Sequence, residues 1–190
     1  MSLHKMQHSN TLVLTEAALT VIDMQEAFRA KISDFSEVAE RIATTVKAAK
    51  LLHLPIVVTE QYPKGLGHTA TEITEVLPAS TEVIEKTSFS SCGAQPFESQ
   101  LEKSRAKQVI VCGIEAHICV NQTVHDLLAA GFQVHLLTDC ITSRKRENKE
   151  VAIRKMELSG AIPSSLEMAL FEMLRDAKHE QFKAIQGLIK

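Results

Sequence analysis

The stretch Gln108-Val109-Ile110-Val111-Cys112-Gly113-Ile114, with Glu115-Ala116-His117-Ile118-Cys119 behind it, decides how this chain is read. Val109, Ile110 and Val111 are apolar and β-branched without alternation, the pattern of a strand buried on both faces. A helical pattern follows from about Cys119 to Ala130, and Gly131 stands at the C′ position that favours glycine. A doubly buried strand that turns directly into a helix is half of a βαβ unit.

The same alternation extends in both directions. Ala18 to Asp23, Pro55 to Thr59, Thr81 to Lys86 and Phe132 to Leu137 read as further strands, and Ala161 to Pro163 as a short last one. Val38, Ile42, Val46 and Ala49 recur at helical spacing, with Asp34 or Ser36 as N-cap. A second helix is expected from about Glu147 to Leu158, stopped by Gly160. Ser164-x-x-Glu167 reads as a capping box opening a third, through Leu174. Near-continuous apolar strands separated by helices predict an α/β fold with a parallel sheet covered on both faces. The one long irregular stretch, Thr59 to Ala79, is long enough to be a functional loop or lid. The tail carries Phe182, Ile185, Leu188 and Ile189 on one helical face, which must dock on the domain or on another subunit. The stripe is one ground for expecting a homo-oligomer.

Composition narrows the function classes. The chain has 190 residues, one ordinary domain (1–190), of which 1–15 is expected to be a loosely ordered N-terminal segment. Such a domain buries roughly 70% of its unfolded surface and folds without metal or disulfide. Net charge is −2, with no basic block, no Trp and one Tyr. Phosphate contacts and base stacking are both poorly supplied, so no nucleic acid is expected as a main partner. No segment is long and apolar enough to span a bilayer, so no membrane partner is expected either. The four cysteines form no C-x-x-C pair, which suits a reducing compartment, the cytoplasm first. A mitochondrial address is compatible with the Lys and His of the N-terminus, although the Arg-rich amphipathic pattern is missing.

In open parallel sheets, ligands bind outside the carboxyl ends of the strands. The first strand ends in Asp23, the third in Lys86, and the fourth leads within a few residues to Cys119. An acid, an amine and a thiol thus reach one edge from separate strands. Taken singly, the Asp reads as a loop anchor, the Lys as a solvated charge and the Cys as a small core residue. Together they are a nucleophile with its activating groups. A helix N-terminus and a nearby cation both favour a thiolate, so Cys119 is expected to be more reactive than Cys92, Cys112 or Cys140. Replacing Lys86 by Met is expected to lower turnover far more than stability.

Val111-Cys112-Gly113-Ile114-Glu115-Ala116-His117-Ile118-Cys119-Val120 resembles the signature of the isochorismatase-like cysteine hydrolases. Val21 to Gln25 and Glu85 to Ser90 resemble that superfamily's Asp and Lys motifs, in the same order. Thr59 to Gly67 and Phe182 to Lys190 are similar to the eukaryotic isochorismatase-domain-containing proteins. The resemblance implies a Rossmann-like sheet of six parallel strands in the order 3-2-1-4-5-6. It also implies an Asp23–Lys86–Cys119 triad that cleaves the C–N bond of a small amide or carbamoyl substrate through a thioester. The backbone N–H groups of Glu115 and Cys119 would form the oxyanion hole, and the Ile114–Glu115 peptide would be cis. No cofactor is implied. Metal-binding relatives carry D-x-H after strand two; here Glu60-Gln61-Tyr62 and a lone His68 do not make a zinc site, so no metal is expected. Two other readings compete. A dinucleotide-dependent oxidoreductase fails for want of G-x-G-x-x-G after strand one. A non-catalytic or weakly catalytic interaction protein on the same fold is the remaining alternative.

Overall fold

A computed structural model of the chain describes residues 7–190. In chain order the elements are β1 (Ala17–Ile22), α1 (Phe35–Leu51), β2 (Ile56–Gln61), α2 (Pro63–Leu66), α3 (Thr71–Thr74), β3 (Val83–Lys86) and α4 (Gln95–Ser104). They continue with β4 (Gln108–Gly113), α5 (Asn121–Ala129), β5 (Gln133–Ile141), α6 (Arg146–Leu158), β6 (Ile162–Ser164), α7 (Leu166–Leu174) and α8 (Phe182–Leu188). The strands form one sheet in the order β3-β2-β1-β4-β5-β6, and every pairing is parallel. The expected fold class and strand order are the ones observed.

Every residue of β1 and β4 is buried, because both faces of the sheet are covered. Leu19 and Val21 look toward α1, α7 and α8; Ala18 and Ile22 look toward α4, α5 and α6, each side holding its own apolar cluster. The order reverses between β1 and β4, where Ile22 pairs with Gly113. Both strands end there, and their exits open a crevice. Gly113 has φ +121°, and a Cβ on it would lie 2.0 Å from the Ile22 carbonyl oxygen, so only glycine lets the backbones approach this closely.

Several local expectations are corrected. The segment expected to be loose is docked in its second half: Gln7 to Asn10 are exposed, but Leu12 is fully buried, and its N–H donates to Glu172 at 3.0 Å. Val13 N–H donates to Gln108 at 2.7 Å; residues 1–6 lie outside the described residues. The cap of α7 is Ser165, whose Oγ accepts from Met168 N at 3.2 Å, one residue later than expected. Helix α4 was not anticipated, because its apolar signal reduces to Phe97 and Leu101, one turn apart. The 59–79 stretch is ordered by a buried polar brace. Gln25 accepts from Gln61 N and donates to the carbonyls of Gln61 and Gly67. Arg29 bridges Glu26 and Glu72. The tail stripe docks on its own domain: Ile185 is fully buried, with Phe182, Leu188 and Ile189 packed beside it.

Candidate active site

Three strand exits build the site. Asp23 follows β1 with φ +49°, a left-handed turn that Asp tolerates better than most residues. That turn holds its carboxylate beneath the crevice, 2% exposed. Thr59, on neighbouring β2, donates from Oγ1 to Asp23 Oδ1 at 2.6 Å. Lys86, at the end of β3, donates from Nζ to Asp23 Oδ2 at 2.6 Å. The same ammonium reaches Gln61 Oε1 at 2.9 Å and the carbonyls of Ser88 and Phe89 at 3.1 and 3.0 Å. It is a buried cation with a complete set of acceptors, not a solvated strand-end charge. A buried ion pair of this kind persists because hydrogen bonds satisfy what the partner charge does not.

Cys119 reaches the same place from β4. The chain between β4 and α5 is a wide turn, Ala116–Val120, in which Val120 N–H reaches back five residues to the Glu115 carbonyl. Regular α-helix starts only at Asn121, so the thiol is not in the first turn of an α-helix as expected. Its pKa is pushed up to about 12, chiefly by burial, next by the negative charge of Asp23 and a hydrogen bond to it; Lys86 pulls the other way. Burial and Asp23 thus act against the thiolate that a helix N-terminus and a nearby cation would favour. The Lys86 charge is already spent on Asp23, and burial disfavours any thiolate.

Glu115 is 5% exposed, and its Oε1 accepts from both the backbone N–H and Nε of Arg144, each at 3.0 Å. The Ile114–Glu115 peptide is cis. Sequence reasoning missed Thr59, Gln61 and Arg144. The first two sit at the exit of β2, on the edge already singled out, and that position was the available signal. Glu60 and His68 serve the loop. Glu60 Oε1 accepts from Thr69 N and Oγ1 at 2.6 and 2.8 Å, and Oε2 faces His68 Nδ1 at 3.1 Å. A cavity of about 470 Å³ opens beside the ion pair, lined by Tyr62, Pro63, Lys64, Lys86, Ser88 and Ala94 among others. No described helix is long and apolar enough to cross a membrane.

Comparison with known proteins agrees with this architecture. The human isochorismatase domain-containing protein 2 is 40% identical over 176 residues, 92% of this chain and 83% of its own. The secreted isochorismatase effector Isc1 of Phytophthora sojae is 38% identical over 183 residues, 94% of this chain and 87% of its own. A solved structure described as MAR1 ribonuclease from Caenorhabditis elegans superposes with a TM-score of 0.90 at 40% identity, covering 94% of this chain and 92% of that one. The isochorismatase domain model matches residues 17–168, from the first strand to the helix after the last, and the chain belongs to the isochorismatase family.

Proposed function

We propose that the protein is a cysteine-dependent hydrolase that cleaves the C–N bond of a small amide or carbamoyl compound. The observation that carries this reading is the buried Asp23–Lys86 pair set against the Cys119 thiol. A thiol with a raised pKa does not wait as a thiolate; it gives up its proton as it attacks. Asp23, its oxygens fixed by Thr59 and Lys86, is the acceptor. Each oxygen keeps a lone-pair direction for that proton.

In the forward step the Cys119 sulfur bonds to the carbonyl carbon while its proton passes to Asp23. The carbonyl oxygen takes up the negative charge, which the N–H groups of Glu115 and Cys119 stabilise. Collapse breaks the C–N bond, and the proton on Asp23 leaves with the amine or ammonia. Water then attacks the thioester, its proton going to Asp23. The C–S bond breaks, an acid or carbamate departs, and the proton returns to sulfur. Lys86 keeps the site electrically neutral in the resting state and anchors the base.

The competing substrate is RNA, because the C. elegans relative is described as a ribonuclease. Net charge −2 and a single Tyr speak against an extended polyanion as ligand. The test is ammonia release across a panel of small primary amides and ureido compounds, with intact-mass detection of an acyl adduct. Hydrolysis and an adduct that disappear together in Cys119→Ala support the proposal. RNA cleavage retained in Cys119→Ala, with no amide turned over, would replace it. No turnover of either would favour the interaction-protein alternative.

A further inference from the structure

Three consecutive residues of the turn that leads to Cys119 are tied to three consecutive residues after β5. Gly113 and Ile141, the last residues of β4 and β5, pair with each other, so the chain leaves both strands side by side. Ala116 N–H then donates to the Thr142 carbonyl at 2.8 Å. His117 Nδ1 faces Ser143 Oγ at 3.0 Å. Glu115 Oε1 accepts from the backbone N–H and from Nε of Arg144, both at 3.0 Å. The 142–144 segment is anchored in turn, because Thr142 Oγ1 donates to Asp34 Oδ1 at 2.6 Å, just before α1. Glu115, Thr142 and Ser143 are all buried. Among the described residues the Glu115 N–H donates to no backbone carbonyl. It is a donor held in place and left free.

We infer that Arg144 and the Glu115 side chain are positioning residues: the clamp between them fixes where the Glu115 N–H points, and so sets the strength of the oxyanion hole. The inference rests on the hydrolase reading above, which places that N–H against the developing oxyanion. Two donors from one residue on one carboxylate oxygen close a ring, and a ring resists both sliding and rotation of Glu115. Oxyanion donors work by preorganisation, and a misplacement of about 1 Å can cost roughly a hundredfold in rate. Arg144 touches no reacting atom in this scheme; it acts through Glu115. Its guanidinium also offsets the Glu115 charge, which would otherwise repel the oxyanion.

The test separates geometry from charge. In Glu115→Gln the amide oxygen still accepts both Arg144 N–H groups, and kcat on the amide panel should stay close to wild type. Glu115→Leu and Arg144→Met break the clamp, and each should lower kcat about ten- to hundredfold with KM little changed. Propionaldehyde supplies a readout that needs no turnover. The Cys119 sulfur adds to its carbonyl carbon, the thiol proton passes to Asp23, and the oxygen settles in the oxyanion hole. Its protection of Cys119 from iodoacetamide should weaken in both clamp variants along with kcat. Alkylation itself makes no oxyanion and should change far less. Clamp variants with wild-type kcat and aldehyde protection, in a protein that turns amides over, would overturn the inference and leave the hydrolase reading standing. Glu115→Gln losing as much as Glu115→Leu would overturn it too, by making the charge decisive. A wild type that hydrolyses no amide, but whose aldehyde protection still depends on the clamp, would sink the hydrolase reading alone. Neither turnover nor protection in wild type would overturn both. Thermal melts accompany each variant. The Arg144 side chain is half-exposed, so Arg144→Met decides the matter if Glu115→Leu fails to fold.

Discussion

Cys119 sits beside a carboxylate and an ammonium that are bonded to each other, so it feels a dipole rather than a cation. Which end of the dipole dominates is measurable. Asp23 and burial raise the thiol pKa while Lys86 lowers it. Asp23→Asn should therefore lower the pH midpoint of Cys119 alkylation by iodoacetamide, and Lys86→Met should raise it, although both lose turnover. Each pKa unit is about a tenfold change in thiolate at fixed pH. Unchanged midpoints would mean that the charges do not reach the sulfur. Burial raises the pKa of Cys92 and Cys119 alike, and Cys92 is the more exposed of the two, so limiting iodoacetamide followed by adduct mapping decides whether Cys119 is the most reactive thiol, as the sequence predicts. The Lys86→Met expectation changes. Lys86 is buried and bonded to four acceptors, so its loss strands the Asp23 charge. Breaking such a pair costs about 3–5 kcal/mol, and a thermal melt should show it.

The elements were legible where a strand is covered on both faces, because continuous β-branched runs leave little choice of period. β1, β2 and β4 are of this kind, and their exits supplied Asp23 and the turn to Cys119. The edge elements were not: β3 has only Ile84 and Lys86 buried, and α4 buries only Phe97 and Leu101. The polar braces were invisible for another reason. Gln25 and Arg29 act on partners about 40 residues away, and Glu60 on Thr69 across an irregular loop, and no local pattern reports such contacts. Gly113 joins the two scales. Its φ of +121° and its contact with Ile22 fix how closely β4 meets β1, and hence where Asp23 and Cys119 face each other. Gly113→Ala adds a methyl 2.0 Å from a carbonyl oxygen that cannot move without breaking the ladder. Strain and overpacking together should cost about 3–5 kcal/mol. The check is the urea midpoint, and a loss under 1 kcal/mol would mean the strands separate freely.

For the whole molecule, the sheet divides the interior into two apolar clusters, and His135 is a fully buried titratable group within β5. Among the described residues its Nε2 has only a long contact to Gln133 Oε1, 3.4 Å, and its Nδ1 has no partner. Burial lowers its pKa from 6.5 to about 4. The unfolded chain binds a proton at His135 below pH 6.5, whereas the folded chain refuses it until about pH 4. Stability is therefore full above pH 6.5 and falls progressively between 6.5 and 4. Across that window the loss attributable to this one group is on the order of 3 kcal/mol. Other groups contribute as well, so the decisive comparison is with His135→Leu, which keeps an apolar side chain in the strand and has nothing to titrate. Urea unfolding at pH 7 and pH 4.5 should show a much smaller pH difference for the variant than for the wild type. Equal slopes in the two proteins would mean that His135 finds a proton-compatible partner inside the fold, and that acid sensitivity arises elsewhere.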